Sequence, residues 1–524
     1  MINYSFYSSP IFRCYVVVFL LIITSCQTNP TKNVTNQGKK LAERYCQSCH
    51  QLPDPDLLPK ITWEQHILPT MGAFYGIYSD QTPREMFLEG GLYARQLELL
   101  YPDEARISTK EWRDLKDYYL ENSPLDLDSA KIDENLAAES IFSAMQPSIS
   151  YPFPHTSLVR IDETRQLYFF AEAKESISIF NVINFQNQLV QSFEWDLPFS
   201  DMMMDGDDLI LTVIGDLNPS DQARGQLVKF FYDPEAGKYT EVATILNQLQ
   251  RPVHTQRADL DLDGLQDFLI CEFGNMLGRL SWFQAVSEDR YRKVVLKELP
   301  GAIRTIIRDF DSNGYPDIMV LFAQGNESIR IFYNQGEGQF NEELLLQFPP
   351  SYGSAWFDLV DMNGDGLEDI IYTNGDNADY DPVLKPYHGI RIFNQQQDHS
   401  YAESFFYHLD GAYKVIAEDF NLDGAPDLAV TSFFPDFTQI PVESFLLLKN
   451  RSESNNYQFE VSGLPQNPLG RFLVMDYGDL DQDGDQDLIL GSFIAFEAMG
   501  DTSGIINHWL QNGKSLTILK NNTK

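Results

Sequence analysis

Asp479-Leu480-Asp481-Gln482-Asp483-Gly484-Asp485-Gln486-Asp487 sets carboxylates at alternate positions around a single glycine. The phrase recurs four times upstream: Asp259, Asp261, Asp263, Gly264 and Asp267; Asp309, Asp311, Asn313, Gly314 and Asp317; Asp361, Asn363, Asp365, Gly366 and Asp369; Asp419, Asn421, Asp423, Gly424 and Asp427. A hard cation such as Ca2+ takes about six to eight oxygens, which a tight turn with an oxygen side chain at every second residue supplies. The residue after each glycine (Leu265, Tyr315, Leu367, Ala425 and Asp485) completes the candidate ligands, so about five Ca2+ ions are expected. The glycine permits the sharp bend. An EF-hand loop runs into a helix and closes on a glutamate at its twelfth position. Here the last carboxylate is the ninth residue, and apolar runs follow at 268–270, 318–320, 370–372, 428–430 and 488–490. Each loop therefore joins two strands.

The loops begin at Asp259, Asp309, Asp361, Asp419 and Asp479, spacings of 50, 52, 58 and 60 residues. A second feature, a short alternating strand, recurs at 176–181, 226–231, 279–283, 328–332, 389–394, 444–450 and 515–521, which makes seven repeats. In the first two the acidic loop is degenerate: Asp205, Gly206, Asp207 and Asp208 are a remnant, and 162–166 is a plain turn. Four antiparallel strands per repeat, seven times over, is the pattern of a β-propeller. The five loops resemble those of the FG-GAP/VCBS family, the calcium-bearing propellers of integrin α-chain type, over 141–524. That resemblance implies structural rather than catalytic calcium, on loops that project from the blade periphery. The last repeat shows only three strands, which would leave an open edge. Residues 141–151 are expected to supply its outer strand and stitch the ends of the ring together.

Cys46, Cys49 and His50 form Cys-x-x-Cys-His, the c-type haem attachment phrase: two thiols add to the porphyrin and the adjacent imidazole reaches the iron. A redox dithiol calls for a βαβ setting, and a zinc site for further Cys or His at ligand spacing; neither is evident. Ser108 and Glu111 form a capping box before a helix whose Trp112, Leu115, Tyr118 and Tyr119 share one face. The stretch 38–125 resembles the short cytochrome c domains fused to repeat proteins in membrane-associated bacterial proteins; Leu52, Pro53, Asp54 and Pro55, and Trp63 with Leu68 through Gly72, carry the likeness. The resemblance implies crossing first and last helices and one haem c. Met71 is the favoured distal iron ligand. Met86, read as helical core packing, and His66 are alternatives.

Arg13 precedes an apolar run at 16–23 that ends in Thr24, Ser25 and Cys26. It is too short for an ordinary transmembrane helix and resembles a bacterial lipoprotein signal, which implies cleavage of 1–25 and lipidation of Cys26; an uncleaved anchor is the alternative. Residues 26–37 then read as a tether and 126–140 as a charged linker. Cys14 belongs to the signal, and Cys271 reads as buried and apolar. The expected protein is exported and lipid-anchored to a bacterial membrane, facing the periplasm or the cell surface.

The fold class is thus multidomain: a small all-α cytochrome c domain followed by an all-β seven-bladed propeller. A net charge of −38, with no basic patch, excludes nucleic acid as a partner. No Ser-His-Asp order or phosphate-binding glycine loop stands out, and His254, His388 and His408 read as surface or internally satisfied histidines. The leading expectation is a membrane-tethered cytochrome passing single electrons to or from a redox partner protein or quinol. Its propeller would be a platform for a glycan or protein ligand. One alternative is an oxidoreductase whose propeller channel holds a sugar, an alcohol or a quinone cofactor; another is a haem-linked adhesion module. A polar channel lined by convergent Arg, Asp and His favours the enzyme; a filled or featureless one favours binding.

Overall fold

In each of the last five repeats, six consecutive residues after the acidic loop are all buried, as at Asp317–Phe322. Alternation explains why: Ile318, Val320 and Phe322 pack toward the preceding repeat, Met319 and Leu321 toward the following one. The strand after the loop is therefore the inside of a four-stranded blade with a neighbour on either face. The computed structural model describes residues 30–524 except 89–90, 129–139, 175–176, 379–382, 439–441, 453–455, 465–468, 495–500 and 502. Among these it builds seven four-stranded antiparallel sheets. The expected signal peptide, Cys14, Cys26 and most of the linker lie outside the described residues.

The inner strands of blades 1 to 7 are Thr156–Asp162, Phe199–Asp205, Pro252–Ala258, Ala302–Arg308, Ser354–Val360, Ala412–Glu418 and Phe472–Gly478. The inner strand of blade 1 packs against that of blade 7, so the ring closes. Seven apolar clusters fill the seven blade interfaces. The outer strand of blade 7 is Phe142–Met145, paired antiparallel with Leu516–Asn521, as counting strands required. Cys271 is fully buried, also as expected. The acidic loops join each inner strand to the second strand, so they sit nearer the axis than the blade periphery.

Ahead of the propeller lies an all-helical unit of α1 (Pro30–Tyr45), α2 (Lys60–Thr62), a single π turn (Trp63–Ile67), α3 (Leu68–Ala73), α4 (Ala94–Leu100) and α5 (Thr109–Asn122). The chain is already helical at Pro30, so the tether expected over 26–37 is shorter than read; proline suits a first helical position. Met71 lies within α3, between Pro69 and Gly72, and Met86, expected in the core, is 59% exposed. Ser108 and Glu111 form the reciprocal cap of α5. The first helix packs on the last, and Gly38 is where they meet. A Cβ there would lie 2.3 Å from the Asp114 carbonyl oxygen and 2.6 Å from Tyr118 Cβ. Gly38→Val therefore forces the helices apart, and the expected loss is about 1–3 kcal/mol. The urea midpoint of the helical circular dichroism, compared with that of the β signal, measures it; an unshifted midpoint would show that the contact can relax.

The helical unit sits on the propeller face opposite the acidic loops. Its satellite cluster of Ala73, Leu97 and Tyr101 packs on Met276 and Leu277 of blade 3, and its main core touches Val383 of blade 5. Tyr387 donates a hydrogen bond to the Leu57 carbonyl (3.0 Å), and the Arg279 guanidinium stacks 4.9 Å from the Tyr93 ring centre. Asp221 shapes this seat, accepting from the backbone N–H groups of Asn275, Met276 and Leu277.

Candidate functional site

Helix α1 ends at Tyr45, and Cys46–Ser48 makes a single tight turn, so both thiols and His50 follow directly on the helix. Tyr75 and Ser48 both donate to the Tyr45 carbonyl at 2.6 Å, fixing the turn. His50 Nδ1 lies 2.7 Å from the Gln51 carbonyl oxygen. A carbonyl only accepts, so Nδ1 carries the proton and Nε2 keeps its lone pair for a metal. Cys46 and Cys49 are not bridged. Burial pushes the Cys46 thiol up to about 11, opposite to the lowered values of redox dithiols. Met71 packs against the same apolar core as Cys46, whereas Met86 lies outside it. The thiol pair, the free imidazole nitrogen and an apolar wall bearing a thioether form a donor set that fits haem c.

The five acidic loops share one backbone path. The first carboxylate accepts from the fifth and sixth N–H groups: Asp259 from Asp263 and Gly264, Asp309 from Asn313 and Gly314, Asp361 from Asp365 and Gly366, Asp419 from Asp423 and Gly424, Asp479 from Asp483 and Gly484. The sixth residue is always a glycine at φ between 88° and 94°, and the fourth (Leu262, Ser312, Gly364, Leu422, Gln482) is left-handed too. Such strain persists only where the surroundings over-determine it. The buried ninth carboxylates, Asp267, Asp317, Asp369, Asp427 and Asp487, each accept an N–H from the third strand, tying three strands together. In blades 3, 4 and 7 carboxylate oxygens converge within 4.8 Å of one another. Asp261 Oδ1 and Asp485 Oδ1 are buried with no hydrogen-bond partner. Burial pushes Asp427 and Asp487 up to about 6, a cost that a bound cation removes.

The degenerate loops use organic cations instead. Lys229 bridges Asp205 (2.7 Å) and Asp208 (3.0 Å) in blade 2. Arg165 bridges Asp162 (2.8 Å) and Asp207 (2.7 Å) between blades 1 and 2. Two ammonium groups approach the blade 7 loop as well, Lys520 on Asp481 and Lys524 on the Gly484 carbonyl.

A third constellation was missed by the sequence reading. All seven inner strands carry a register shift just inside their first residue. A bulge re-aims the residues that follow it. The third residues of the inner strands are Leu158, Asp201, His254, Arg304, Trp356, Lys414 and Val474, and Arg160, Asp358 and Asp476 stand two residues further on the same face. The polar and aromatic ones among them form a belt around the channel, while Leu158 packs into the core between blades 1 and 2. Arg160 pairs with Asp201 at 2.7 Å; Asp201 accepts from His254 (2.8 Å) and the Thr255 N–H (3.0 Å); His254 Nε2 donates to the Thr305 carbonyl (3.3 Å). Arg304 meets Asp358 at 3.2 Å and stacks 4.1 Å from the Trp356 ring centre, over which Lys414 also lies at 4.6 Å. Lys414 donates to the Met475 carbonyl (2.6 Å), and Asp476 accepts from the Ile161 N–H (2.8 Å), returning to blade 1. Burial opposes ionisation of Asp201, yet Arg160 and His254 hold its carboxyl well below the ordinary range. His254 is thus satisfied but not on the surface. The signal that could have revealed the belt is the third inner-strand position, polar or aromatic in five of seven repeats.

A family model for the FG-GAP-like repeat matches residues 309–372, from the acidic loop of blade 4 to the second strand of blade 5. No curated protein matches the chain. Among solved structures, the N-terminal domain of Nup159 is similar at a TM-score of 0.42 and 12% identity, over 75% of this chain and 99% of that one. The Dos1 propeller aligns at 0.39 and 9% identity, over 70% and 78%. A luciferin-regenerating enzyme aligns at 0.33 and 13%, over 62% and 96%. The chain carries an FG-GAP-like repeat within a seven-bladed β-propeller that serves as a binding platform.

Proposed function

We propose that the protein is an exported, lipid-anchored c-type cytochrome that passes single electrons between a redox partner protein or quinol and a haem held by Cys46, Cys49 and His50. The propeller, stiffened by about five Ca2+ ions, is its platform for a protein or glycan. The observation that carries the reading is His50: its Nδ1–H is spent on the Gln51 carbonyl, so Nε2 is presented beside two unbridged thiols. When bound, the haem supplies a one-electron couple, and a Met71 thioether would raise its potential. The chain's own part is to orient the imidazole, to wall one side with Leu52, Ile67 and Met71, and to seat the unit on blades 3 and 5 through Tyr93 and Tyr387.

Cys49→Ala and His50→Ala are each expected to abolish the normal c-type absorption spectrum, while the β circular dichroism of the propeller stays. A wild-type spectrum in either variant sinks the haem assignment. Met71→Ala should keep the covalent haem and lower its potential; an unchanged potential moves the distal ligand to Met86 or His66.

The channel belt favours a second reading, an oxidoreductase that takes a sugar, alcohol or quinol in the channel and delivers electrons to the haem. Arg, Asp and His side chains converge there, the feature expected of the enzyme. Anaerobic mixing of the oxidised protein with candidate sugars and quinols decides between the readings: haem reduction by one of them, lost in Arg304→Gln, supports the enzyme.

A further inference from the structure

The charges that converge on the channel are unevenly paired. Asp201 is saturated by Arg160, by His254 and by the N–H groups of Met202 and Thr255. Asp358 accepts from Arg304 and from the Leu359 N–H. Asp476 serves the Ile161 N–H. Among the described residues the Lys414 ammonium, on a residue 8% exposed, hydrogen-bonds only to the Met475 carbonyl and lies over the Trp356 ring. Arg304 shares that ring, and its Nε has no acceptor. Two cations from blades 4 and 6 thus converge on one indole, within electrostatic reach of Arg160 from blade 1. Inner-strand edge groups need partners, which accounts for the bond from Lys414 to Met475. A neutral donor would do that without placing like charges together.

Water reaches the waist. The side chains of Arg160, Arg304 and Asp358 keep 28%, 18% and 28% of their surface accessible, although all three lie on the innermost strands. Beside Lys414 the third position turns apolar at the half-buried Val474 of blade 7. The waist therefore offers a cationic half with one apolar neighbour. We propose that it binds a small organic carboxylate, its oxygens between Lys414 and Arg304 and its short carbon chain toward Val474. This names a ligand class for the propeller platform and rests on that reading alone, not on the haem.

Proton uptake gives the binding a signature. Burial, and then Arg160 and Arg304, press the free amine of Lys414 down to about 7, against the opposing pull of Asp476 and Asp201. A carboxylate seated on it restores the ammonium, so at about pH 8 binding takes up close to one proton. The experiment is calorimetric titration of the purified full-length protein with acetate, succinate, inorganic phosphate and glucose, repeated in two buffers of different ionisation heat. Acetate or succinate is expected to bind with proton uptake, and Lys414→Gln to weaken binding about tenfold or more and abolish the uptake. No heat with either carboxylate, binding without proton uptake, or binding of phosphate or glucose alone each overturns the proposal. Should Lys414→Gln fail to fold, Arg304→Gln and the wild-type proton count still decide. The Cys49→Ala protein should give the same titration, so failure here and failure of the haem reading are separable.

Discussion

Stripping divalent cations with EGTA is expected to lower the melting temperature of the propeller by about 15 °C, and added Ca2+ to restore it. Each acidic loop holds its carboxylates on a backbone path with left-handed residues at two positions, and buries the ninth aspartate among backbone donors. That arrangement exists only in the folded blade, so a cation binds the native state and not the unfolded chain. At a free concentration about a hundred times its dissociation constant, one ion contributes about 2.7 kcal/mol. Five loops unfolding together lose about 13 kcal/mol, and with an unfolding entropy of about 2.1 cal/mol/K per residue over 141–524 the shift follows. Mg2+ should restore less, because it demands octahedral geometry and gives up water reluctantly. Asp309→Ala should remove about a fifth of the EGTA effect. Blades 1 and 2, where Arg165 and Lys229 neutralise the acids, should contribute nothing to it. A melting curve indifferent to EGTA would show that the loops hold their path without a bound cation.

The parts of the fold that the sequence announced are those where local chemistry is obligatory. A glycine at the sixth loop position is forced by φ near 90°, and the apolar run after it is forced by burial on both faces. The closing strand followed from arithmetic, since a three-stranded last blade leaves an edge. The channel belt was not legible, because its logic is not local. Nothing in the sequence around Arg160, Asp201 and Lys414 marks them out, and only the shared bulge brings them to one axis. A solvated channel and a solvated rim select the same residue types, so composition cannot tell them apart. His254 shows the difference: its two partners, Asp201 and the Thr305 carbonyl, come from the neighbouring blades on either side. In the helical unit the polar composition of 30–37 hid the first turns of α1, since helices drawn from a tether-like sequence depend on packing further along. Asp221 was invisible for the opposite reason: it contacts no functional group but fixes the loop on which the helical unit rests.

Phe142→Ala is expected to destabilise the propeller by about 3–5 kcal/mol, more than any other single apolar truncation on an outer strand. Outer strands are mostly exposed, as in Tyr401–His408 of blade 5, where no residue is fully buried and 402–404 are exposed in a row. The outer strand of blade 7 differs because it arrives from the other end of the domain. Its pairing, Phe142 with Asn521 through Met145 with Ile518, is what joins the two ends of the ring. Phe142 is 3% exposed and lies edge-on to Phe420 (5.8 Å) and Phe445 (6.3 Å) of blade 6. Truncation therefore opens a cavity under the closing strand, which the chain does not join to the rest of blade 7, and that strand can peel away and leave the edge at 516–521 unpaired. Ser143→Ala is the control, because Ser143 is exposed and its side chain makes only a 3.4 Å contact with Asn522. Hydrogen exchange should show the loss first at 516–521 and 487–492, ahead of blades 3 to 5. Uniform loss across all seven blades would mean that the ring opens as one unit, and a Phe142→Ala protein as stable as the Ser143→Ala protein would mean that the inner strands of blades 1 and 7 close the ring without help.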